Sequence, residues 1–111
     1  MADGLNDIGL LRWKCCQDFA NALLDLREAL RRFEVLAAAD PSNIEGRRDV
    51  ADATRRIGTV LAEAGRKPEA MDVNARALTM YEELARADPS SGENAAYLAE
   101  VRARIAALKN H

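Results

Sequence analysis

Leu36-Ala37-Ala38-Ala39-Asp40-Pro41-Ser42-Asn43 returns 48 residues later as Leu84-Ala85-Arg86-Ala87-Asp88-Pro89-Ser90-Ser91. Over positions 29 to 42 the same shift makes nine of fourteen residues identical: Ala29, Leu30, Glu34, Leu36, Ala37, Ala39, Asp40, Pro41 and Ser42. Phe33 also meets Tyr81. A repeat at a fixed period dictates architecture before any local pattern does, because each copy needs a neighbour to bury its apolar face. Each phrase contains Asp-Pro. The proline ring excludes the preceding residue from helical backbone, so a helix stops there twice.

Working outward, the residues before the first phrase carry Phe19, Leu23, Leu26, Leu30, Phe33 and Ala37, in steps of four and three. That spacing predicts a helix with one apolar seam, ending near Ala39. Upstream, Leu5, Ile8, Leu11 and Cys15 predict a separate short helix over 5–16, with a restart at Gln17-Asp18 where Asp18 can cap. Downstream, Ser42 with Glu45 reads as a capping box, repeated by Ser90 with Glu93. The helix between them carries Val50, Ala53, Ile57, Leu61 and Ala64 on one face. Gly65 closes it and Pro68 opens the next. That next helix carries Ala70, Val73, Ala77, Met80 and Leu84. The last carries Leu98, Val101, Ile105 and Leu108. No window alternates with period two, so no strand is expected. The expected fold is all-α: about five helices in one domain, as antiparallel hairpins stacked in a short α-solenoid. The repeat units are about 5–41 and 42–89, with a capping helix at 90–109.

Composition narrows function. The chain has 111 residues, 16 basic and 18 acidic, a net charge of −2 and five aromatic residues. Nucleic acid, which requires a basic surplus on one face, is not an expected partner. No apolar run approaches the roughly 20 residues of a membrane span. Met1-Ala2-Asp3-Gly4 shows no basic region leading into an apolar core, so no secretory signal is read and a cytoplasmic location is expected. The adjacent Cys15 and Cys16 would point about 100° apart on a helix, which suits two reduced thiols better than a bridge.

No enzyme is expected, nor any cofactor or metal. The lone His111 is terminal, Ser42 and Ser90 are used by caps, and the glycines are scattered rather than gathered into a phosphate loop. Glu82-Glu83 and the Asp49/Asp52 pair read as helical surface.

Ile57-Gly58, Leu61, Gly65, Ala70 and Ala77 together resemble the tetratricopeptide (TPR) pattern. They stand for its Leu-Gly, its following aromatic, its turn glycine and its two small packing residues. Ile8-Gly9 fits before Phe19, Ala22 and Ala29 only with one extra residue. Thr54 and Asn74 depart from the pattern's large positions, and the 48-residue unit exceeds the family's 34. The length and the Leu-Ala-Ala-Ala-Asp-Pro-Ser phrase resemble the long-helix repeats of bacterial TPR arrays and of kinesin light chains. The resemblance implies a non-catalytic interaction module that holds a peptide or partner helix in a concave groove. It also implies close backbone packing at Gly58, Ala70 and Ala77.

On that reading the groove stripe is Arg48, Asp52, Arg55, Thr59 and Glu63, with Arg56 beside it, and the two arginines would take an acidic peptide or a C-terminal carboxylate. Intrahelical pairing of Asp52 with Arg55 or Arg56 on a solvated face is the plainer alternative. A different class of role also stays open: a structural or oligomerisation segment at the end of a larger signalling protein, such as a kinase-associated array. Leu10, Leu11, Trp13 and Cys15 would then pair chains into a homodimer through an N-terminal end that lacks a polar cap. Glu100, Arg102, Arg104 and Lys109 are expected to face outward and close the other end.

Overall fold

The computed structural model describes residues 2–110, with side chains from Asp18 onward. Four helices follow one another: α1 (Ala2–Ala39), α2 (Ile44–Glu63), α3 (Lys67–Ala87) and α4 (Gly92–Lys109). Among the described residues there is no strand.

The count corrects the expected five. Residues 5–16 and the helix from Phe19 belong to one 38-residue helix, so the stretch 5–41 holds one helix and not two. The physical reason lies in the stripe itself. Cys15 to Phe19 is a step of four, so the two apolar patterns join without a change of phase. No proline or glycine stands near Gln17-Asp18 to break the hydrogen-bond ladder.

The repeated phrase builds the same turn twice. The Asn43 N–H donates to the Asp40 carbonyl (3.1 Å), and the Ser91 N–H to that of Asp88 (3.2 Å). These are β-turns with Asp first and Pro second, the positions those residues favour. Ser42 and Ser90 sit inside the turns and donate their hydroxyls to Asp40 and Asp88, both at 2.9 Å. The expected capping boxes are thereby displaced by one residue. Asn43 Oδ1 accepts from the N–H groups of Glu45 (3.1 Å) and Gly46 (3.4 Å). Ser91 Oγ accepts from that of Asn94 (3.3 Å). A serine committed to the turn is not available to the helix that follows.

Between α2 and α3 the turn is of a second kind. Gly65 adopts φ +77°, the left-handed conformation that glycine enters without a Cβ clash. The Gly65 N–H reaches Ala62 O (3.1 Å) and the Arg66 N–H reaches Leu61 O (2.9 Å), a Schellman closure. Pro68 then stands in the first turn of α3.

Turns this short fold each helix back along the one before it, and each packs on its neighbour in the chain: α1 on α2, α2 on α3, α3 on α4. Leu23, Ile57, Leu61 and Ala70 form one buried cluster, joining the first three helices. Ala51, Ala77, Tyr81, Leu84 and Val101 form the other, joining the last three. Ala70 and Ala77 are fully buried. At Gly58 the close neighbour is a side chain: a Cβ there would lie 2.9 Å from the Asn74 amide atoms.

Candidate functional site

The stripe expected to line a groove points instead at the neighbouring helices. Arg48 Nε donates to the buried Asn94 Oδ1 (3.2 Å), while its guanidinium lies 3.8 Å from Asp88 and 4.0 Å from Glu93. Asn94 in turn donates to Leu84 O (3.5 Å), so one buried amide ties the start of α4 to α3 and to α2.

One turn along α2, the Tyr81 hydroxyl donates a short hydrogen bond to Asp52. Arg55 Nε donates to the same hydroxyl (3.2 Å), and Arg55 Nη1 pairs with Glu100 (3.1 Å). The guanidinium also rests 4.2 Å above the Tyr97 ring, whose centroid is 5.6 Å from that of Tyr81. A cation over an aromatic face is held by the ring quadrupole, more strongly when water is kept away. Only 13 % of the Arg55 side chain is exposed. Farther on, Arg104 donates to Thr59 Oγ1, and Thr59 donates to Arg55 O (3.0 Å).

The charges act on one another. Burial raises the Tyr81 pKa, and its donation to Asp52 raises it further against the opposing effect of Arg55, so the phenol stays neutral. Burial works to lower the Arg55 pKa. The bond to Tyr81, with the charges of Tyr81, Glu100 and Asp52, outweighs it and holds the guanidinium above its ordinary value.

Of the six stripe residues, then, Arg48, Asp52, Arg55 and Thr59 are brought together as a seam among α2, α3 and α4. Arg56 and Glu63 are exposed and outside it. Arg104 turns inward to this seam, contrary to expectation, while Glu100 is exposed as expected and reaches the seam through its pair with Arg55. Arg102 is exposed and lies 3.8 Å from Glu82, and Lys109 is exposed as expected. Leu10, Leu11, Trp13 and Cys15 lie outside the described side chains.

The surface the sequence reading missed is on α1. Leu24, Val35 and Leu36 are 65 %, 69 % and 64 % exposed, the large hydrophobic residues most open to water among those described. Shallow hollows beside Val35 and Leu36 are lined by Asp25, Glu28, Ala29, Arg32 and Phe33. The signal for this patch was present. Val35 and Leu36 fall off the apolar seam of α1, and the 48-residue shift pairs Leu36 with Leu84, a residue buried in the other copy.

Among the described residues no group of three or more His, Cys, Asp or Glu side chains is placed to hold a metal ion, and no helix is long and apolar enough to cross a membrane. No protein-family model, curated protein or solved structure matches this chain.

Proposed function

We propose that this chain is a non-catalytic protein-interaction module, a short TPR-like stack that presents α1 to an apolar helix or peptide. The observation that carries the reading is the uncovered pair of Val35 and Leu36 on α1, a helix that packs on α2. Apolar side chains grouped on a surface mark a contact more often than scattered ones do. Next to them Glu28, Arg31 and Arg32 supply a polar rim, as interfaces have. Helix-in-groove recognition of this kind reads anchors at three- and four-residue spacing.

The groove along α2 is the second reading. Arg48, Asp52, Arg55 and Thr59 are committed to Asn94, Tyr81, Glu100 and Arg104, so of its residues Arg56 and Glu63 are the exposed ones.

A display library of helical peptides panned against the 111-residue chain separates the two. Recovered peptides should lose about tenfold or more in affinity, roughly 1.4 kcal/mol, when Val35 and Leu36 are both replaced by Lys, and keep it when Arg56 is replaced by Glu. Binders that depend on Arg56 and ignore Val35 and Leu36 would return the site to α2. Recovery of no binder at all would count against the interaction module.

A further inference from the structure

The internal repeat says what the uncovered face of α1 is shaped to meet. Shifted by 48, Ala22, Leu26, Ala29, Phe33 and Leu36 of α1 are the counterparts of Ala70, Asn74, Ala77, Tyr81 and Leu84 of α3. All five α3 residues are buried. None of the five α1 residues is: four are half-buried and Leu36 is 64 % exposed. The difference has one structural source. In α3 this stripe faces the helix that precedes it, α2, where Ala51 packs with Ala77 and Tyr81, and Gly58 admits Asn74. Nothing among the described residues plays the part of α2 toward α1.

α4 carries the complementary open face among the described residues. The six buried residues of α2 are Ala51, Ala53, Thr54, Ile57, Gly58 and Leu61. Their counterparts in α4 are Ala99, Val101, Arg102, Ile105, Ala106 and Lys109. Of these only Val101, on the side of α3, is buried; Ala99, Arg102, Ala106 and Lys109 are exposed. These α4 positions are thus open, two of them alanines and two of them long basic side chains. Among the described residues, no helix packs on α1 as α2 packs on α3, and none packs on α4 as α3 packs on α2.

We propose that α4 of one copy docks on the uncovered face of α1 of a second copy, head to tail, reproducing the α2–α3 contact between chains. This rests on the interaction-module reading and names the partner. Charge supports the pairing. In the hollow among α1, α2 and α3, Thr54 lies with Val73, Arg76 and Met80 of α3 and with Arg27, Leu30 and Glu34 of α1. The counterparts set Arg102 against Asp25, Glu28 and Arg32, two carboxylates to one like charge, where α3 offers Val73, Arg76 and Met80. Lys109, in the place of Leu61, comes to Ala22, with Asp18 and Asp25 on the turns to either side. Ala106 against Leu26 replaces Gly58 against Asn74, an apolar pair with no amide to satisfy. Because the two surfaces differ, the contact is heterologous and leaves both ends of each dimer free, so it continues instead of closing.

The test is light scattering and sedimentation of the full chain from micromolar to near-millimolar concentration, with Leu36→Glu and Ala106→Glu as single variants. Both positions are exposed, and matching circular dichroism checks that the fold persists. The expected wild-type mass climbs through multiples of 12.2 kDa without a plateau. Each variant alone should be monomeric, with at least about tenfold weaker association. An equal mixture should form a 1:1 dimer and stop there, since each variant keeps the face the other has lost. A wild-type chain that stays monomeric throughout would overturn the proposal, as it would if residues near the N-terminus cover α1 themselves. So would a closed dimer abolished by Leu36→Glu and indifferent to Ala106→Glu, which would mean α1 pairing with α1. In either case helical peptides that still bind at Val35 and Leu36 would leave the interaction module standing with a different partner.

Discussion

Replacing Gly58 by Ala sets two well-sized effects against each other. Glycine inside a helix costs roughly 1 kcal/mol relative to alanine, so at an open position the change would stabilise α2 by about that amount. Gly58 is not open. The added methyl would stand 2.9 Å from Cγ, Nδ2 and Oδ1 of Asn74, closer than carbon meets any of those atoms without repulsion. Asn74 cannot step aside freely. It is fully buried, and its Nδ2 donates to Ala70 O (2.7 Å) and Gly58 O (3.4 Å). Its Oδ1 has no partner among the described residues, so the amide is anchored from its donor side. Overpacking a filled interior costs about 1–3 kcal/mol, and a buried donor left unpaired costs about 1–3 kcal/mol more. Against the propensity gain of about 1 kcal/mol, the net expected is a loss of about 1–5 kcal/mol. The assay is denaturant unfolding of wild type, Gly58→Ala, Asn74→Ala and the double variant. In the double variant the alanine methyl enters space the amide vacated, so the two changes should couple favourably by at least about 1 kcal/mol. A Gly58→Ala chain as stable as wild type would refute this, since propensity would then have met no obstacle. A double variant whose losses simply add would also refute it.

Three further outcomes follow from the seam and the turns. Arg55→Glu should destabilise by about 2 kcal/mol or more, losing charge-assisted bonds and placing a carboxylate beside Asp52 and Glu100, whereas Arg56→Glu on the exposed side should stay within about 0.5 kcal/mol; paired urea curves read both. Asn43→Ala should cost about 1 kcal/mol as a lost helix cap, and Ser42→Ala distinctly less, a ranking the same unfolding assay would reverse if Ser42 were the cap. Because Tyr81 has a raised pKa in the fold, its contribution to stability is fully present below about pH 10, the ordinary tyrosine value, and is lost as pH rises above that toward its folded pKa. Unfolding free energies measured across that window should fall more steeply for wild type than for Tyr81→Phe, and equal slopes would contradict it.

What was legible in the sequence, and what was not, divides by range. The three turns depend on residues next to one another: Asp-Pro-Ser carries its own backbone restriction, and Gly65 carries its own freedom. Their places could therefore be read directly. Even there the serine was assigned one step too far into the following helix, because a hydroxyl can serve the turn or the cap and only the turn's closure decides. The extra helix came from treating a possible cap at Asp18 as a break when the step from Cys15 to Phe19 preserved the stripe. Arg55 was legible as a notable arginine but not as a seam residue. Its partners Tyr81 and Glu100 lie 26 and 45 residues away, and which face of α2 meets them is fixed by how three helices rotate against each other.

The repeat carries information that neither the turns nor the periodicity hold. Equivalent residues in two copies experience the same covalent chemistry, so a difference in their burial isolates the effect of neighbours alone. Leu84 is 1 % exposed and Leu36 is 64 % exposed, with the same side chain, the same flanking Ala and the same Asp-Pro turn after it. At about 25 cal/mol per Å² of apolar surface, burying one leucine side chain that is otherwise open is worth roughly 2 kcal/mol. In the α1 stripe Ala29 and Phe33 are half-buried, and Leu26 is half-buried against the cluster of Leu23, Ile57, Leu61 and Ala70. A sequence that keeps the apolar residue at a position where this fold leaves it wet retains a surface suited to a helix like α2, and the α4 of another copy is such a helix.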